Sequence, residues 1–169
     1  KDVDKVAFTG SPDTGRLVMQ NASGTLKRIS LELGGKSPSI FFADADFEAA
    51  VAGALFGVFL NQGEVCSAGS RILVQRPIYR AFLDAMVEKA RAIRLGSGMD
   101  RATQMGPLIS AEHRVRVREY QEIGKREAPL ALGGGVPEGE PFSRGFFVEP
   151  TIFFDVDNSA RIAREEIFG

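Results

Sequence analysis

Arg28-Ile29-Ser30-Leu31-Glu32-Leu33-Gly34-Gly35-Lys36-Ser37-Pro38-Ser39-Ile40-Phe41-Phe42 holds two apolar runs parted by a glycine pair. In the first run Ile29, Leu31 and Leu33 alternate with Arg28, Ser30 and Glu32, the period-two pattern of a half-buried strand. Successive side chains of a strand leave opposite faces, so Glu32 is predicted to point away from the three apolar residues. An isolated glutamate in that position is ordinarily a solvated strand residue. Gly34-Gly35 breaks the strand, and a second starts within 36–42. We place a domain boundary here, dividing the chain into 1–33 and 34–169.

Upstream, Val6-Ala7-Phe8-Thr9 reads as a buried strand, followed by the turn Gly10-Ser11 and a helix with Ser11 as N-cap, Pro12 at its first position and Gly24 at its end. A glycine turn before a helix N-terminus favours anions, because unpaired N–H groups and the helix dipole converge there. The spacing of Gly10 and Gly15 does not match the Gly-x-Gly-x-x-Gly dinucleotide fingerprint, so on these residues alone an ordinary strand-to-helix turn is the default reading.

Downstream, Asp44 or Asp46 is placed to cap a helix whose residues Phe47, Ala50, Val51, Ala54, Leu55 and Val58 predict burial on nearly all sides. The two aspartates read as caps and not as metal ligands, since no histidine is near, and no metal site is expected. The run 49–60 is too short for the roughly 20 residues of a membrane helix. After it comes Asn61-Gln62-Gly63-Glu64-Val65-Cys66-Ser67-Ala68-Gly69-Ser70-Arg71, then a strand-like 71–75. Cys66, the sole cysteine, stands in a loop of small residues that lets backbone N–H groups approach a substrate oxygen while the thiol attacks a carbonyl carbon. A lone cysteine is more commonly a small buried hydrophobe, so the residue type alone does not decide between them.

The remaining chain continues the alternation. Pro77 opens a helix with Ile78, Phe82, Leu83, Met86, Val87, Ala90 and Ile93 facing the core, and Gly96 is expected to stop it. Residues 97–109 read as a surface loop. Ser110 caps a helix over about 111–125 that is largely solvent-facing, and His113 is expected on its surface, out of reach of Cys66. A strand at Leu130–Leu132, a Gly133-Gly134-Gly135 loop and a strand-like 146–154 interrupted by Pro150 follow, and Asn158 is read as the cap of a last helix ending near Glu165. Strands alternating with helices indicate an α/β fold, a mostly parallel sheet flanked by helices.

At 169 residues, 44% hydrophobic and 25% charged, the chain supports one ordinary core or one domain plus part of another. A net charge of -1 offers no electrostatic attraction for nucleic acid or for an anionic membrane, and neither is expected as a partner. One cysteine forms no intrachain disulfide, consistent with a reducing compartment, and a cytoplasmic location is expected.

Together, Leu31-Glu32-Leu33-Gly34-Gly35-Lys36-Ser37-Pro38 and the Cys66 loop resemble the NAD(P)-dependent aldehyde dehydrogenase superfamily, as do Phe8-Thr9-Gly10-Ser11 with Gly15 and the terminal Glu165-Glu166-Ile167-Phe168-Gly169. The resemblance implies the end of a Rossmann-like cofactor domain in 1–33 and most of a thiol-nucleophile catalytic domain in 34–169. It implies Cys66 as nucleophile and Glu32 as general base, partly shielded from solvent, with Gly10, Ser11, Leu33 and Gly34 lying against NAD or NADP, Glu166 on the nicotinamide ribose and Phe168 near the nicotinamide. The implied reaction oxidises a small aldehyde to a carboxylic acid through a thiohemiacetal and a thioester on Cys66. A homodimeric or homotetrameric parent enzyme is implied too, with this chain as a fragment that has little activity alone. A cysteine hydrolase would share the thiol but lacks a histidine partner in this reading, and a purely structural protein would not need both Cys66 and Glu32.

Overall fold

The structure, a computed structural model, describes residues 2–169. The chain divides into two compact units, a first ending at Gly35 and a second spanning Lys36–Gly169.

The first unit is a single strand, helix, strand turn of chain: β1 (Lys5–Gly10), α1 (Pro12–Ser23) and β2 (Arg28–Leu33), the two strands pairing in parallel from Lys5 with Arg28 to Gly10 with Leu33. Parallel neighbours need a crossover, and α1 supplies it. The start of α1 follows the sequence reading, since Ser11 Oγ accepts the Thr14 N–H at 3.2 Å and Pro12 fills the first turn. Gly15 and Ala22 are the helix's buried positions, and a Cβ on Gly15 would stand 2.9 Å from Leu33 Cδ2, so the absence of a side chain lets helix and strand approach. The predicted burial of β1 does not hold. Val6 and Phe8 are half-buried and Lys5, Ala7 and Thr9 exposed, because one helix covers only one face of a two-stranded ladder. At the helix exit Gly24 stays right-handed at φ -60°, and the left-handed turn falls two residues later on Leu26 at φ 52°.

In the second unit β3 (Pro38–Phe41) pairs in parallel with β4 (Arg71–Val74), with α2 (Phe47–Phe59) as crossover and α3 (Tyr79–Arg91) following β4. Asp46, not Asp44, caps α2 by accepting the Ala49 N–H at 3.0 Å. Val51 and Ala54 of α2 meet Phe82 and Met86 of α3 over Phe41, Ile72 and Val74 of the strands. Phe82 is the largest fully enclosed side chain, its ring 4.9 Å from that of Phe41 and 6.0 Å edge-on from that of Phe47. The expectation that α2 is buried on nearly all sides fails, for Ala49, Ala52, Gly53, Phe56 and Gly57 lie exposed opposite the Val51–Ala54 stripe. An apolar sequence states what a helix face tolerates; which face is covered depends on neighbours.

The C-terminal part contributes α4 (Ala111–Glu127), β5 (Leu130–Leu132) antiparallel to β6 (Ile152–Phe153), and the short α5 (Arg161–Arg164). A second apolar cluster gathers Leu108, Val117 and Val148 with Phe146 and Ile167. The class is α/β with mostly parallel pairing, distributed over three two-stranded ladders. Four further expectations are corrected. The strand foreseen over 146–154 contracts to Ile152–Phe153, Pro150 having no N–H to continue a ladder. α3 ends at Arg91, and Gly96 instead packs against Thr103 while its N–H reaches the Met105 carbonyl. Residues 97–109 do not lie wholly on the surface, because Met105 and Leu108 turn inward. Asn158 does not cap α5; the Glu127 carboxylate takes the Arg161 and Ile162 N–H groups at 3.1 Å each, a long-range cap that satisfies donors a side-chain N-cap would otherwise take. Among the described residues no helix is long and apolar enough to cross a membrane.

Candidate active site

In the first unit the residues singled out from the sequence fall at one edge. Gly10 and Leu33 are direct partners at the C-terminal ends of β1 and β2, with Ser11 next on the way into α1 and Gly34 next after β2. Strand C-termini beside a helix N-terminus are where open α/β sheets receive nucleotides. Gly10 has no side chain where the Phe8 ring lies: a Cβ there would stand 2.5 Å from Phe8 Cζ. The Ser11 hydroxyl serves the helix cap and lies 3.0 Å from Thr14 Oγ1. Glu32, paired across the ladder with Thr9, is exposed on the face opposite its apolar neighbours, as the alternation predicts.

In the second unit the thiol is presented by a pinned loop. After α2 the backbone turns through Asn61 (φ 51°), Gln62 (φ 59°) and Gly63 (φ 83°), three successive left-handed residues of which only one is glycine. Non-glycine residues in that region cost on the order of 1–3 kcal/mol each and persist where the surroundings over-determine them. The determinants are visible. Glu64 N–H reaches the Asn61 carbonyl at 3.0 Å and Asn61 Nδ2 the Glu64 carbonyl at 3.1 Å. Farther along, Ala68 N–H reaches the Val65 carbonyl at 3.0 Å and Gly69 N–H the Gly57 carbonyl of α2 at 3.1 Å. Between these ties Cys66 is exposed, and its backbone N–H has no acceptor among the described residues. The sequence therefore builds a rigid loop with a free thiol and an unused donor at its tip, the pair that carbonyl addition requires.

Gly63 is the tightest point of that turn. A Cβ on it would stand 3.1 Å from the Gly169 carbonyl carbon, and its φ is left-handed. Gly63→Ala is expected to cost about 1–3 kcal/mol of stability through strain and backbone crowding, read as a lowered thermal midpoint of the chain.

The terminal segment is fixed from several sides. Tyr120 Oη donates to Glu165 at 2.6 Å, Arg161 pairs with the same carboxylate at 3.0 Å, and Arg116 Nη2 donates to the Glu166 carbonyl at 2.8 Å. Phe168 follows with φ 68° and is 37% exposed. Burial, reinforced by the Arg71 charge and opposed by Glu166, lowers Lys36 to about 8, which places these three charged groups in one neighbourhood. Among the residues expected to act, the second unit thus brings the Cys66 loop to the Phe168–Gly169 backbone through Gly63, while Glu32, Gly10, Ser11, Leu33 and Gly34 belong to the first unit.

His113 contradicts its surface assignment. Its side chain is 16% exposed and lies 3.6 Å from Glu64 Oε1, itself 9% exposed, two positions before Cys66. Nothing in the spacing of 64, 113 and 168 signals this meeting. It arises because Ser110 Oγ, accepting the His113 N–H at 3.1 Å, starts α4 beside the loop.

The chain is of the α/β class and carries an accessible thiol on a pinned helix-to-strand loop, with Gly63 of that loop close to the Gly169 backbone. Comparison with known sequences is specific: the profile of the Aldehyde dehydrogenase family matches residues 1–169, and the chain belongs to that family. It is 52% identical over 170 residues to the betaine aldehyde dehydrogenase of Bacillus subtilis, covering 100% of this chain and 35% of that protein. The corresponding Brucella ovis protein is 53% identical over 166 residues, covering 98% of this chain and 34% of that one. Among solved structures, betaine aldehyde dehydrogenase from Staphylococcus aureus in complex with NAD+ superposes with a TM-score of 0.96 at 48% identity, over 99% of this chain and 33% of that one. Aldehyde dehydrogenase from Bacillus cereus, as an E194S mutant, gives 0.94 at 47% identity, over 99% and 34%. The chain spans about a third of the length of the curated relatives it matches.

Proposed function

We propose that the whole protein oxidises an aldehyde to its carboxylic acid with NAD, and that Cys66 is the nucleophile. The observation that carries this reading is the exposed Cys66 thiol on a loop locked at both ends, its own N–H without an acceptor among the described residues, in a chain of the aldehyde dehydrogenase family. The Cys66 thiolate adds to the carbonyl carbon, and the Cys66 N–H donates to the oxygen as it gains charge. NAD, when bound, supplies the hydride acceptor. Loss of hydride leaves a thioester on Cys66. Glu32 then takes a proton from the water that attacks it, releasing the acid and regenerating the thiolate.

The strand ends at Gly10, Ser11, Leu33 and Gly34, beside the N-terminus of α1, suit one part of the cofactor. Glu166 and Phe168 suit the nicotinamide end. The dinucleotide is NAD rather than NADP in this reading because the Staphylococcus aureus relative is described in complex with NAD+. The substrate class we favour is a small aldehyde carrying a quaternary ammonium, on the strength of the betaine aldehyde dehydrogenases at 52% and 53% identity. A soluble homo-oligomer of a reducing, cytoplasmic compartment completes the proposal.

The test is NADH formation by the whole protein at 340 nm with betaine aldehyde, an aliphatic aldehyde and an aromatic aldehyde. Turnover with betaine aldehyde at least tenfold more efficient than with the others is the expected result. Turnover confined to the other two would remove the substrate class. No NADH with any of the three would remove the dehydrogenase itself.

A further inference from the structure

We infer that Glu64 and His113 form a clasp that holds the Cys66 loop against the Phe168–Gly169 backbone and thereby sets where the thiol stands toward the reacting centre. Both are positioning residues, and the inference rests on Cys66 being the nucleophile of the proposed reaction.

Three distant stretches of chain meet on these two side chains. Glu64 Oε1 accepts the Ile109 N–H at 3.1 Å and lies 3.6 Å from His113 Nε2. The same ring nitrogen is 2.5 Å from the Phe168 carbonyl oxygen. A carbonyl only accepts, so Nε2 carries the proton and donates. The ring also stands edge-on to that of Phe168 with centroids 5.9 Å apart. A carboxylate this enclosed is costly without a donor; the Ile109 N–H is the donor it has been given, and the imidazole, whose N–H goes to the Phe168 carbonyl, stands 3.6 Å from it as a polar neighbour.

The clasp sits where the backbone is most strained. Left-handed Asn61 and Gln62 precede Glu64 on one side, and left-handed Phe168 ends the other. Such conformations persist when tertiary contacts enforce them. Glu64 and His113 enforce both sets at once, and Gly63 against Gly169 adds a backbone contact between the same two segments. Cys66, two positions after Glu64, inherits its placement from this junction. A displacement of about 1 Å at a reacting group is enough to cost on the order of 10²-fold in rate.

In the whole protein, iodoacetamide alkylation followed by mass spectrometry on the peptide that carries Cys66 reports on the loop whatever the enzymatic activity. His113→Leu keeps bulk and deletes the donor, His113→Gln keeps a donor, and Glu64→Ala removes the carboxylate. The clasp predicts that His113→Leu and Glu64→Ala each change the alkylation rate at least threefold, that the double variant goes no further than either single one, and that His113→Gln stays within twofold of the parent. In the whole protein, kcat is expected to fall at least tenfold in His113→Leu with KM for aldehyde and cofactor within threefold, and His113→Gln to recover it. An alkylation rate unmoved by both single changes, or effects that simply multiply in the double variant, would overturn the clasp. Coupled alkylation with unchanged kcat would overturn the positioning role. Failure of the dehydrogenase reading is distinguishable, since it appears as absent NADH formation in the parent protein while the alkylation coupling persists.

Discussion

Cys66→Ala is expected to lower kcat of the whole protein by about 10⁴-fold or more while leaving its thermal midpoint unchanged within about 2 °C. The two halves of this expectation have separate physical origins. A missing nucleophile removes the covalent route, and what remains is binding and oxyanion stabilisation acting on an unactivated carbonyl hydrate, a residue of catalysis familiar from nucleophile deletions in acyl-transfer enzymes. Stability is spared because Cys66 is exposed and truncating it opens no cavity, whereas core truncations cost 2–5 kcal/mol. The ties that shape the loop run through the backbone of Gly63, Val65, Ala68 and Gly69 and the side chains of Asn61 and Glu64, none of which the substitution touches. Cofactor binding, followed by NADH fluorescence, should therefore persist. A variant that turns over within tenfold of the parent would show that another group attacks the aldehyde.

What could be read from residues alone was local physics. The alternation at 28–33 placed Glu32 outward, and it is outward. Ser11 and Ser110 were legible as caps, and Asp46 as one of two candidates with Asp44, because a cap is settled between a side chain and an N–H three residues later. The elements that escaped are set by distant partners. α5 takes its cap from Glu127, more than thirty residues away, so Asn158 misled. α2 exposes the side carrying Ala52 and Phe56 although its composition would have tolerated burial all round. His113 looked like one more polar residue of a charged helix, and only the loop packed against that helix encloses it. The site follows the same division. The motif around Cys66 singles out the thiol, while the turn that presents it, with Asn61 and Gln62 left-handed, depends on contacts spread along the second unit. Turn-forming residues predict that a chain bends; they do not predict that two non-glycine residues in succession will be held where isolated chains seldom go.

Glu32→Gln is expected to separate the two halves of the reaction. The substitution keeps the size and shape of a side chain that is exposed on β2, so folding should be unaffected and the Thr9–Glu32 pairing of the ladder, made by backbone atoms, is retained. What changes is proton acceptance. An amide does not take a proton from water, so the thioester on Cys66 should form at close to the parental rate and then persist, because the water that must attack it is no longer activated. Rapid mixing of the variant with aldehyde and NAD should give a burst of NADH equal to the concentration of active sites, followed by steady turnover about 10²- to 10⁴-fold slower than in the parent. Hydroxylamine, which attacks thioesters without a base, should restore much of the lost turnover, and the trapped acyl-enzyme should appear by mass spectrometry on the peptide containing Cys66. Unchanged steady-state turnover would remove Glu32 from the chemistry. Loss of the burst itself would mean that Glu32 acts earlier, by deprotonating the Cys66 thiol before it meets the aldehyde, and the roles of base and nucleophile would then have to be joined in a single step of activation.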